Sequence, residues 1–313
     1  MRKFVLACCL LATAVFTVPG ATLAATSPAA PTIHLNVNGS NLTDLKPIVF
    51  QQTTLVPIRA LTFIPAFGVN WDNNRKTATI TNKTTKETVK LTPGSKTAIK
   101  GSTKLTLSVP ARAINGLVYV PLRFVAEALG GYATWDVATR TAIITYSPSN
   151  GAVESRDIAT AREAVLRLPQ IALHEPIITT EESHIAEYYF PYGQTQRFIV
   201  MYRNVASYYE VRNHAAWKLW EGENSEWTPT SSPPVPANLQ VIPHLVSAVS
   251  REWGTRPPAY SGAYAYFTDF WMAGQVSYGI LDADGVRKEA GSYQRADGDS
   301  SLIKAIPGEV RTD

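Results

Sequence analysis

Two stretches of the chain that lie 64 residues apart carry nearly the same sequence. Each contains Val-Pro-x-Arg, then Trp-Asp with the tryptophan twelve residues after the arginine, then a run of Thr-Ala-x-Ile-Thr. The residues that keep these offsets are Pro57, Arg59, Trp71 and Asp72 in the first copy and Pro121, Arg123, Trp135 and Asp136 in the second. An internal repeat with fixed spacing predicts that the first half of the chain uses one supersecondary unit twice.

Each copy has the pattern of a strand, a short helix and a hairpin. In the second copy, residues 117–120 form a strand, and Pro121 is suited to begin a helix because the first helical N–H has no partner to lose. From Leu122 onward, apolar residues recur at helical spacing until Gly130, which supplies a left-handed C-terminal cap. In the first copy Pro65 interrupts the corresponding helix, so we expect that helix to be shorter or kinked.

The arginine of each copy stands in the first turn of its predicted helix, where the macrodipole disfavours a cation. We therefore predict that each arginine pairs with the aspartate of its own copy and lies on the indole beside it. These predicted structural pins are Arg59, Trp71, Asp72, Arg123, Trp135 and Asp136. The alternative is that the arginines bind a ligand.

The repeated residues resemble the copper amine oxidase N-terminal-like domain, also described as a stalk-type domain, of secreted Gram-positive bacterial proteins. The resemblance is carried by Val-Pro-x-Arg, by the AEALG run at residues 126–130 and by Trp-Asp-x-x-x-[Lys/Arg]-Thr. It covers two repeats, at about residues 33–82 and 96–147, and we assign residues 26–148 to this domain. The resemblance implies a strand-rich accessory module at the cell surface. It does not imply amine oxidase chemistry, because the enzymes carry an Asn-Tyr cofactor motif that is absent from this chain.

The first 25 residues have the pattern of a Sec-type secretory signal peptide. A basic start at residues 1–3 precedes an apolar run at residues 4–18, and small alanines near residue 25 suit a signal peptidase. The apolar run of about fifteen residues is short of the roughly twenty that span a bilayer. We therefore expect cleavage, export and no transmembrane segment in the mature chain. The alternatives are an uncleaved anchor and a lipoprotein acylated at Cys8.

Cysteine usage and charge narrow the compartment and the partners. Both cysteines, Cys8 and Cys9, lie within the predicted signal, so the mature chain has none and relies on core burial. This is typical of a Gram-positive surface, and we predict an extracellular, cell-wall-associated protein. The formal charge of +4 falls to +2 when Arg2 and Lys3 leave with the signal. This balance provides no basic stripe for a phosphate backbone, so no nucleic acid partner is expected.

A link rich in Ser, Asn and Gly at residues 147–151 leads to a second predicted domain, residues 152–313. Helical spacing predicts one helix at residues 158–168 and a second that begins at Pro243 and ends near Gly254. Strands are predicted at residues 186–190, 198–202, 209–211, 215–219, 264–271, 275–281 and 286–293. The predicted fold class is α+β: a strand-rich duplicated N-terminal module followed by a C-terminal antiparallel-sheet domain with two helices.

Aromatic residues are concentrated in the second half, which holds five of the seven tryptophans. Alternation places Trp217 and Trp220 on opposite faces of one strand, and a half-buried antiparallel sheet turns one face to solvent. Exposed rings can stack on sugars or on another protein. We predict a possible binding face at Trp217, Trp220, Trp227 and Trp271. The alternative is a thick aromatic core beneath two helices.

Residue types used in catalysis and metal binding occur without the spacing that those functions need. The five histidines do not pair at the intervals of metal sites on helices or strands. Glu210, Glu221 and Asp269 are candidate acid/base carboxylates of a glycosidase, but the sequence alone does not bring any two together. No catalytic, cofactor-binding or metal-ligating residue is therefore predicted.

These patterns together predict a secreted, non-catalytic accessory protein that binds or scaffolds in the cell envelope through its aromatic-rich C-terminal domain. The repeat domain is expected to act as a rigid spacer or attachment module. Its expected partner is cell-wall glycan or another surface protein. Two alternatives stay open: an extracellular hydrolase acting on wall polysaccharide or peptide, and a purely structural stalk.

Overall fold

The computed structural model describes residues 32–178, 183–224 and 249–313. Strands account for about 46% of these described residues and helices for about 10%, so the described fold is mostly β. Ile33–Asp313 form one compact unit. The predicted signal peptide lies outside the described residues. Within them, no helix combines the length and the apolar character needed to cross a bilayer.

The first half consists mainly of short strands. Its 3-10 helix is Ile58–Phe63 and its α-helix, α1, is Leu122–Ala128. The strands are β1 (His34–Val37), β2 (Ser40–Asn41), β3 (Ile48–Phe50), β4 (Thr53–Pro57), β5 (Phe67–Asp72), β6 (Thr77–Asn82), β7 (Thr88–Leu91), β8 (Thr97–Lys100), β9 (Thr103–Thr106), β10 (Arg112–Ile114), β11 (Leu117–Pro121), β12 (Tyr132–Asp136) and β13 (Thr141–Thr145).

The Val-Pro-x-Arg strands of the two sequence repeats pair with each other. β4 and β11 are antiparallel, and Val56 lies opposite Val120, the residue at the same place in the other repeat. β3 and β10 flank this pair, giving the order β10-β11-β4-β3. At the middle of this sheet, equivalent residues of the two repeats therefore lie opposite each other.

Each introductory strand joins a sheet that contains the other repeat's Trp-Asp hairpin. β1 pairs in parallel with β13, and β2 extends the sheet to β12-β13-β1-β2. β8 and β9 likewise complete the five-stranded sheet β5-β6-β7-β8-β9. Leu35 of β1 and Ala98 of β8 are buried in one core with residues of both repeats. Because each sheet is completed by strands from both repeats, we expect neither repeat to fold alone.

The short helices of the two repeats differ in the way that Pro65 predicts. α1 is α-helical and ends before Gly130, which has a positive φ of 78°. The equivalent segment, Ile58–Phe63, is a 3-10 helix. The helix does not continue beyond its C-cap residue, Ile64, because the next residue, Pro65, has no N–H to donate.

The second half contains α2 (Asn150–Val153), α3 (Ile158–Leu166) and a nine-stranded sheet. Its strands are β14 (Gln170–Ile171), β15 (Ile185–Pro191), β16 (Arg197–Tyr202), β17 (Val205–Arg212), β18 (Ala215–Asn224), β19 (Val249–Gly254), β20 (Tyr264–Phe270), β21 (Gln275–Leu281) and β22 (Arg287–Gln294). The order is β14-β18-β17-β16-β15-β20-β21-β22, and β19 also pairs with β18. Strands are present at each of the predicted positions.

The second predicted helix is wrong in its described part, because Val249–Gly254 is the strand β19. The ten residues of β18 are longer than the two-residue β14 that pairs with one end of its edge. β19 pairs with the remaining length, from Trp220 to Asn224. The backbone hydrogen bonds available at this open edge favour a strand more strongly than the short helical spacing of apolar residues favours a helix. The start of the predicted helix lies outside the described residues.

Both faces of the large sheet are buried in its central strands, β15–β18 and β20. α3 covers one face, and Asp157 caps it by accepting a hydrogen bond from the Thr160 backbone N–H at 2.7 Å. The core beneath α3 contains Val153, Ala164, Val165, Leu168, Phe190, Phe198, Tyr209, Ala216, Ala265, Phe267, Ile303 and Ile306. The opposite core contains Tyr189, Ile199, Met201, Ala206, Tyr208, Trp220, Tyr264, Tyr266 and Leu281. The predicted alternative of a thick aromatic core therefore describes much of this half.

The two halves pack directly on each other. Ile143 of β13 is buried in one cluster with Ile171, Ala215 and Trp217 of the second half. Thr145 Oγ1 also donates to the Asn213 carbonyl at 2.7 Å. The predicted link at residues 147–151 leads into α2 rather than spacing the halves apart. The boundary between two domains at this point stays a prediction.

Candidate binding site

The aspartates of the predicted pins bind elsewhere. Asp72 Oδ1 accepts the backbone N–H groups of Asn74 and Arg75 at 2.9 and 3.0 Å, and Oδ2 lies 3.2 Å from the Arg75 guanidinium. The hydrogen bond from the Arg75 backbone is the main reason that the pKa of Asp72 lies below its usual value. Asp136 Oδ2 accepts from Thr139 N and Oγ1 at 2.7 and 2.6 Å. Both aspartates close the turns of their own hairpins, a common role of Asp.

The arginines of the predicted pins face solvent, so the pin prediction was wrong. Arg123 Nε lies 4.0 Å from Glu127 Oε1, one turn further along α1. In the first repeat, Phe63 takes the position of Glu127, and Arg59 forms no ion pair with any described residue. Water and salt screen an exposed cation, so the start of a short helix tolerates it without a buried partner.

The substitution Arg123→Lys should leave stability nearly unchanged, because the ion pair of Arg123 with Glu127 is long and solvent-exposed. We expect the melting temperature to stay within about 2 °C of the wild-type value in a circular dichroism melt. A decrease of about 5 °C or more would restore a bracing role for this arginine.

The predicted binding face does not form at Trp217 and Trp220. Their side chains are 5% and 0% exposed, respectively. The Trp217 indole donates to the Arg212 carbonyl, and the Trp220 indole donates to Glu252 Oε2, both at 2.9 Å. Trp220 is covered because β19 pairs beside it, and Val249 of β19 packs against the same core. Neither ring is available to a ligand.

The other two members of the predicted face have different outcomes. Trp227 lies outside the described residues. Trp271 is exposed, and its ring meets the His184 imidazole edge-on at 5.2 Å between centroids. The four tryptophans therefore do not converge as one described surface.

Exposed indoles also occur in the repeats, where an arginine was predicted to lie on each ring. Trp71 is 41% exposed and Trp135 is 36% exposed. Unlike Trp217 and Trp220, the Trp71 N–H has no acceptor among the described residues. A half-exposed indole with an unused donor is a ring that can contact a ligand by its face and its edge. No signal in the sequence indicates this exposure, because it follows from the position of the Trp71 strand at the edge of its sheet.

A groove of about 540 Å³ opens beside Trp71. The 3-10 helix, β5, β6 and the β10–β11 hairpin form its walls. Ile58, Val69 and Ala78 give it an apolar lining, and all three also contribute to or pack against the core of the module. The floor is therefore rigid, because the residues that build it are held by core packing.

Polar groups line the same groove at its exposed parts. Arg59, Thr62 and Asn70 line it together with Trp71. The Arg59 guanidinium offers several N–H donors that no described carboxylate engages. A flat ring beside polar donors, over an apolar floor, suits a ligand with one apolar face and hydroxyl groups at its rim.

The candidate catalytic carboxylates of the second half do not form an acid/base pair. Glu221 lies on β18 and Asp269 on β20, with three strands between them. At about 4.8 Å per strand they are separated by roughly 19 Å along the sheet, beyond the roughly 5–9.5 Å of glycosidase pairs. Glu210 and Glu221 lie on opposite faces of the sheet. Glu210 accepts a hydrogen bond from Tyr208 Oη on the face whose core contains Tyr208, whereas Glu221 accepts one from Ser207 Oγ on the face whose core contains Tyr209.

The buried carboxylates are also occupied by their neighbours. Glu221 accepts from Lys218 Nζ at 2.6 Å, from the Ile177 backbone N–H at 2.8 Å and from Ser207 Oγ at 3.3 Å. Asp269 is held by Arg295 at 2.6 and 3.3 Å, although burial leaves its pKa above the usual value. Carboxylates with this many donors are typical of structural anchors. Among the described residues, no group of three or more His, Cys, Asp or Glu is placed to hold a metal ion.

Comparison with known proteins gives one match, which lies in the first half of the chain. Residues 36–144 match the model of the family described as copper amine oxidase N-terminal domain. No curated protein and no solved structure matches the chain. The match covers a part of the chain and confirms the resemblance found in the repeated motifs. Residues 36–144 are therefore similar to the copper amine oxidase N-terminal domain, and that domain is non-catalytic in copper amine oxidase.

Proposed function

We propose that this is an exported, non-catalytic protein of the cell envelope whose N-terminal module binds wall glycan at the Trp71 groove. The observation that carries the proposal is the exposed, unpartnered Trp71 indole above a groove whose apolar floor belongs to the core. Export is supported by the predicted signal and by the absence of cysteine beyond residue 9. The domain family is non-catalytic, which favours binding over hydrolysis.

The proposal treats the module as one supersecondary unit used twice. The pairing of Val56 with Val120 and the reciprocal placement of the introductory strands support it. Only the first repeat leaves its arginine without a nearby carboxylate, because Phe63 stands where the second repeat has Glu127. The two sites have therefore diverged, and the first is the binding site.

Wall glycan fits this groove because a pyranose has an apolar C–H face and polar edges. The C–H face can stack on the Trp71 indole, while ring hydroxyls accept from Arg59 or exchange hydrogen bonds with Thr62. Stacked aromatic pairs contribute about 0.5–1.5 kcal/mol beyond area burial, and we take the same order of magnitude for a pyranose on an indole. One such contact thus changes affinity by up to about tenfold.

Retention of the full-length protein on purified peptidoglycan tests this function. Peptidoglycan stripped of covalently attached anionic polymers is used, so that only the glycan and its peptides remain. We expect wild-type protein to bind and Trp71→Ala to bind about tenfold more weakly. Trp135→Ala is the matched control, since it removes an equally exposed tryptophan at the same repeat position but away from the groove.

The outcomes separate the competing functions. Equal retention of wild type and Trp71→Ala contradicts the groove as the site. No retention of the wild type favours a purely structural stalk. Clearing of wall material in a zymogram would establish the hydrolase that the separated carboxylates argue against.

A further inference from the structure

The charge of the protein is divided unequally between its halves. Residues 33–146 carry 13 Lys and Arg against 5 Asp and Glu, a formal charge of +8. Residues 147–313 carry 14 against 20, a formal charge of −6. The near-neutral total therefore conceals a strongly basic module attached to an acidic half. Such a field favours an anionic partner at the module.

Most of the positive charge lies on the five-stranded sheet β5–β9 and its turns. Residues 68–106 carry eight Lys and Arg but only two acidic residues. Both acids are already paired, Asp72 with Arg75 and Glu87 Oε1 with Lys100 Nζ at 2.8 Å. Six cations of this segment therefore have no ion-pair partner among the residues that the structure describes. These are Lys76, Lys83, Lys86, Lys90, Lys96 and Lys104.

One face of this sheet is turned away from the core. Val89 and Ala98 are buried, so their neighbours along each strand project to the opposite side. A single row crosses that outer face, each residue lying opposite the next: Thr79, Lys90, Ile99 and Lys104. At about 4.8 Å per strand, the two lysines of this row stand roughly 10 Å apart. Both are exposed.

Threonines occupy most of the outer positions of the sheet. They are Thr77, Thr79, Thr81, Thr88, Thr97 and Thr106. We call this surface, with Lys90 and Lys104, the Thr/Lys face. It offers hydroxyl donors and acceptors at strand spacing, and its acidic side chain, Asp72, lies on the edge strand β5 and is paired.

We propose that the Thr/Lys face binds a linear polyanion of phosphodiester-linked polyols, an anionic glycopolymer of the envelope. Lysine ammonium groups are compact point charges suited to single phosphates spaced along a chain. The threonine hydroxyls match both phosphate oxygens and polyol hydroxyls. This site is separate from the Trp71 groove, because Trp71 lies opposite Ala78 on the inner side of the same sheet. It therefore goes beyond the glycan-binding function and does not depend on it.

Nucleic acid fits the Thr/Lys face less well, although it is also a polyanion. The described residues of the face include no aromatic ring on which bases could stack. The face of a five-stranded sheet is also too wide to enter the major groove, which admits a helix or a two-stranded ribbon. Nucleic acid is therefore an outcome that the test must separate from the glycopolymer.

The test measures binding of the full-length protein to poly(glycerol phosphate), with duplex DNA and neutral dextran as comparison ligands. We expect binding to poly(glycerol phosphate) that weakens steeply with salt, because counterions are released. Lys90→Glu/Lys104→Glu should weaken it at least about tenfold and lower the slope of log affinity against log salt by about 2. Lys46→Glu/Arg140→Glu is the control, since it makes the same change in net charge at exposed positions outside this face.

Each outcome decides the proposal. Loss in the face variant with retention in the control supports it, provided that both variants melt like the wild type. Equal loss in both variants shows that net charge alone attracts the polymer and overturns the assigned face. Absence of binding, or tighter binding to DNA at matched phosphate concentration, overturns the assigned ligand. Trp71→Ala should leave this binding unchanged, which keeps the two sites distinguishable.

Discussion

Arg162→Met is expected to lower the free energy of unfolding by about 3–5 kcal/mol. Arg162 is almost fully buried on α3, and its guanidinium binds both carboxylate oxygens of the equally buried Glu309, at 2.6 and 2.8 Å. Its Nε also donates to the Gln194 carbonyl at 2.9 Å. Removing the cation leaves a buried carboxylate whose remaining donor is the Gly193 backbone N–H at 2.8 Å. Unpaired buried charge is among the most destabilising changes known.

Chemical denaturation by urea, followed by circular dichroism, measures this loss. Arg167→Met is the matched control, since it removes an arginine of the same helix segment from an exposed pair with Glu163. That change should cost at most about 1 kcal/mol. If the two variants unfold at the same urea concentration, the buried pair does not anchor the segment around Glu309 to α3.

Gly39→Ala should have the second largest effect, because it affects the contact between the two halves. Gly39 has a φ of 89°, and a Cβ there would overlap the backbone carbonyl of Gln170 in β14. The strain of a positive φ and the overlap with rigid backbone together should cost about 2–4 kcal/mol. We also expect faster proteolysis near residues 147–151, since the halves would separate there.

Gly101→Ala provides the control for backbone strain alone. Gly101 also has a positive φ, 58°, in a hairpin turn of the module, but a Cβ there meets no atom within 4 Å. This variant should lose only about 1–2 kcal/mol and keep its resistance to protease. Similar stability and similar cleavage of both variants would mean that the turn at Gly39 does not hold the halves together.

The features that could be predicted from sequence are those set by local pattern. Alternating residues of the second half, for example Phe198, predicted strands that the structure contains. Pro65 predicted the difference between the two short helices. In each case the determining interaction lies within a few residues along the chain, so no knowledge of the tertiary fold was required.

The features that could not be predicted depend on which distant segments meet. Val249–Gly254 became a strand because β18 had an open edge, a fact absent from its own sequence. Trp220 is buried by that same strand, whereas Trp71 stays exposed at the edge of its sheet. The pin prediction paired charges by sequence spacing and overlooked the turn, in which Asp72 binds its own backbone neighbours more readily than a distant guanidinium.

The most direct test of the central claim is the indole N–H region of the ¹⁵N NMR spectrum during titration with soluble, uncharged peptidoglycan glycan fragments. The chain has seven tryptophans, and Trp71→Phe assigns the signal of interest. We predict that the Trp71 signal shifts progressively with added glycan. The Trp217 and Trp220 signals should stay fixed, because their indole N–H groups donate hydrogen bonds to acceptors inside the protein. An unmoved Trp71 signal at saturating glycan, or shifts confined to tryptophans of the second half, would contradict it.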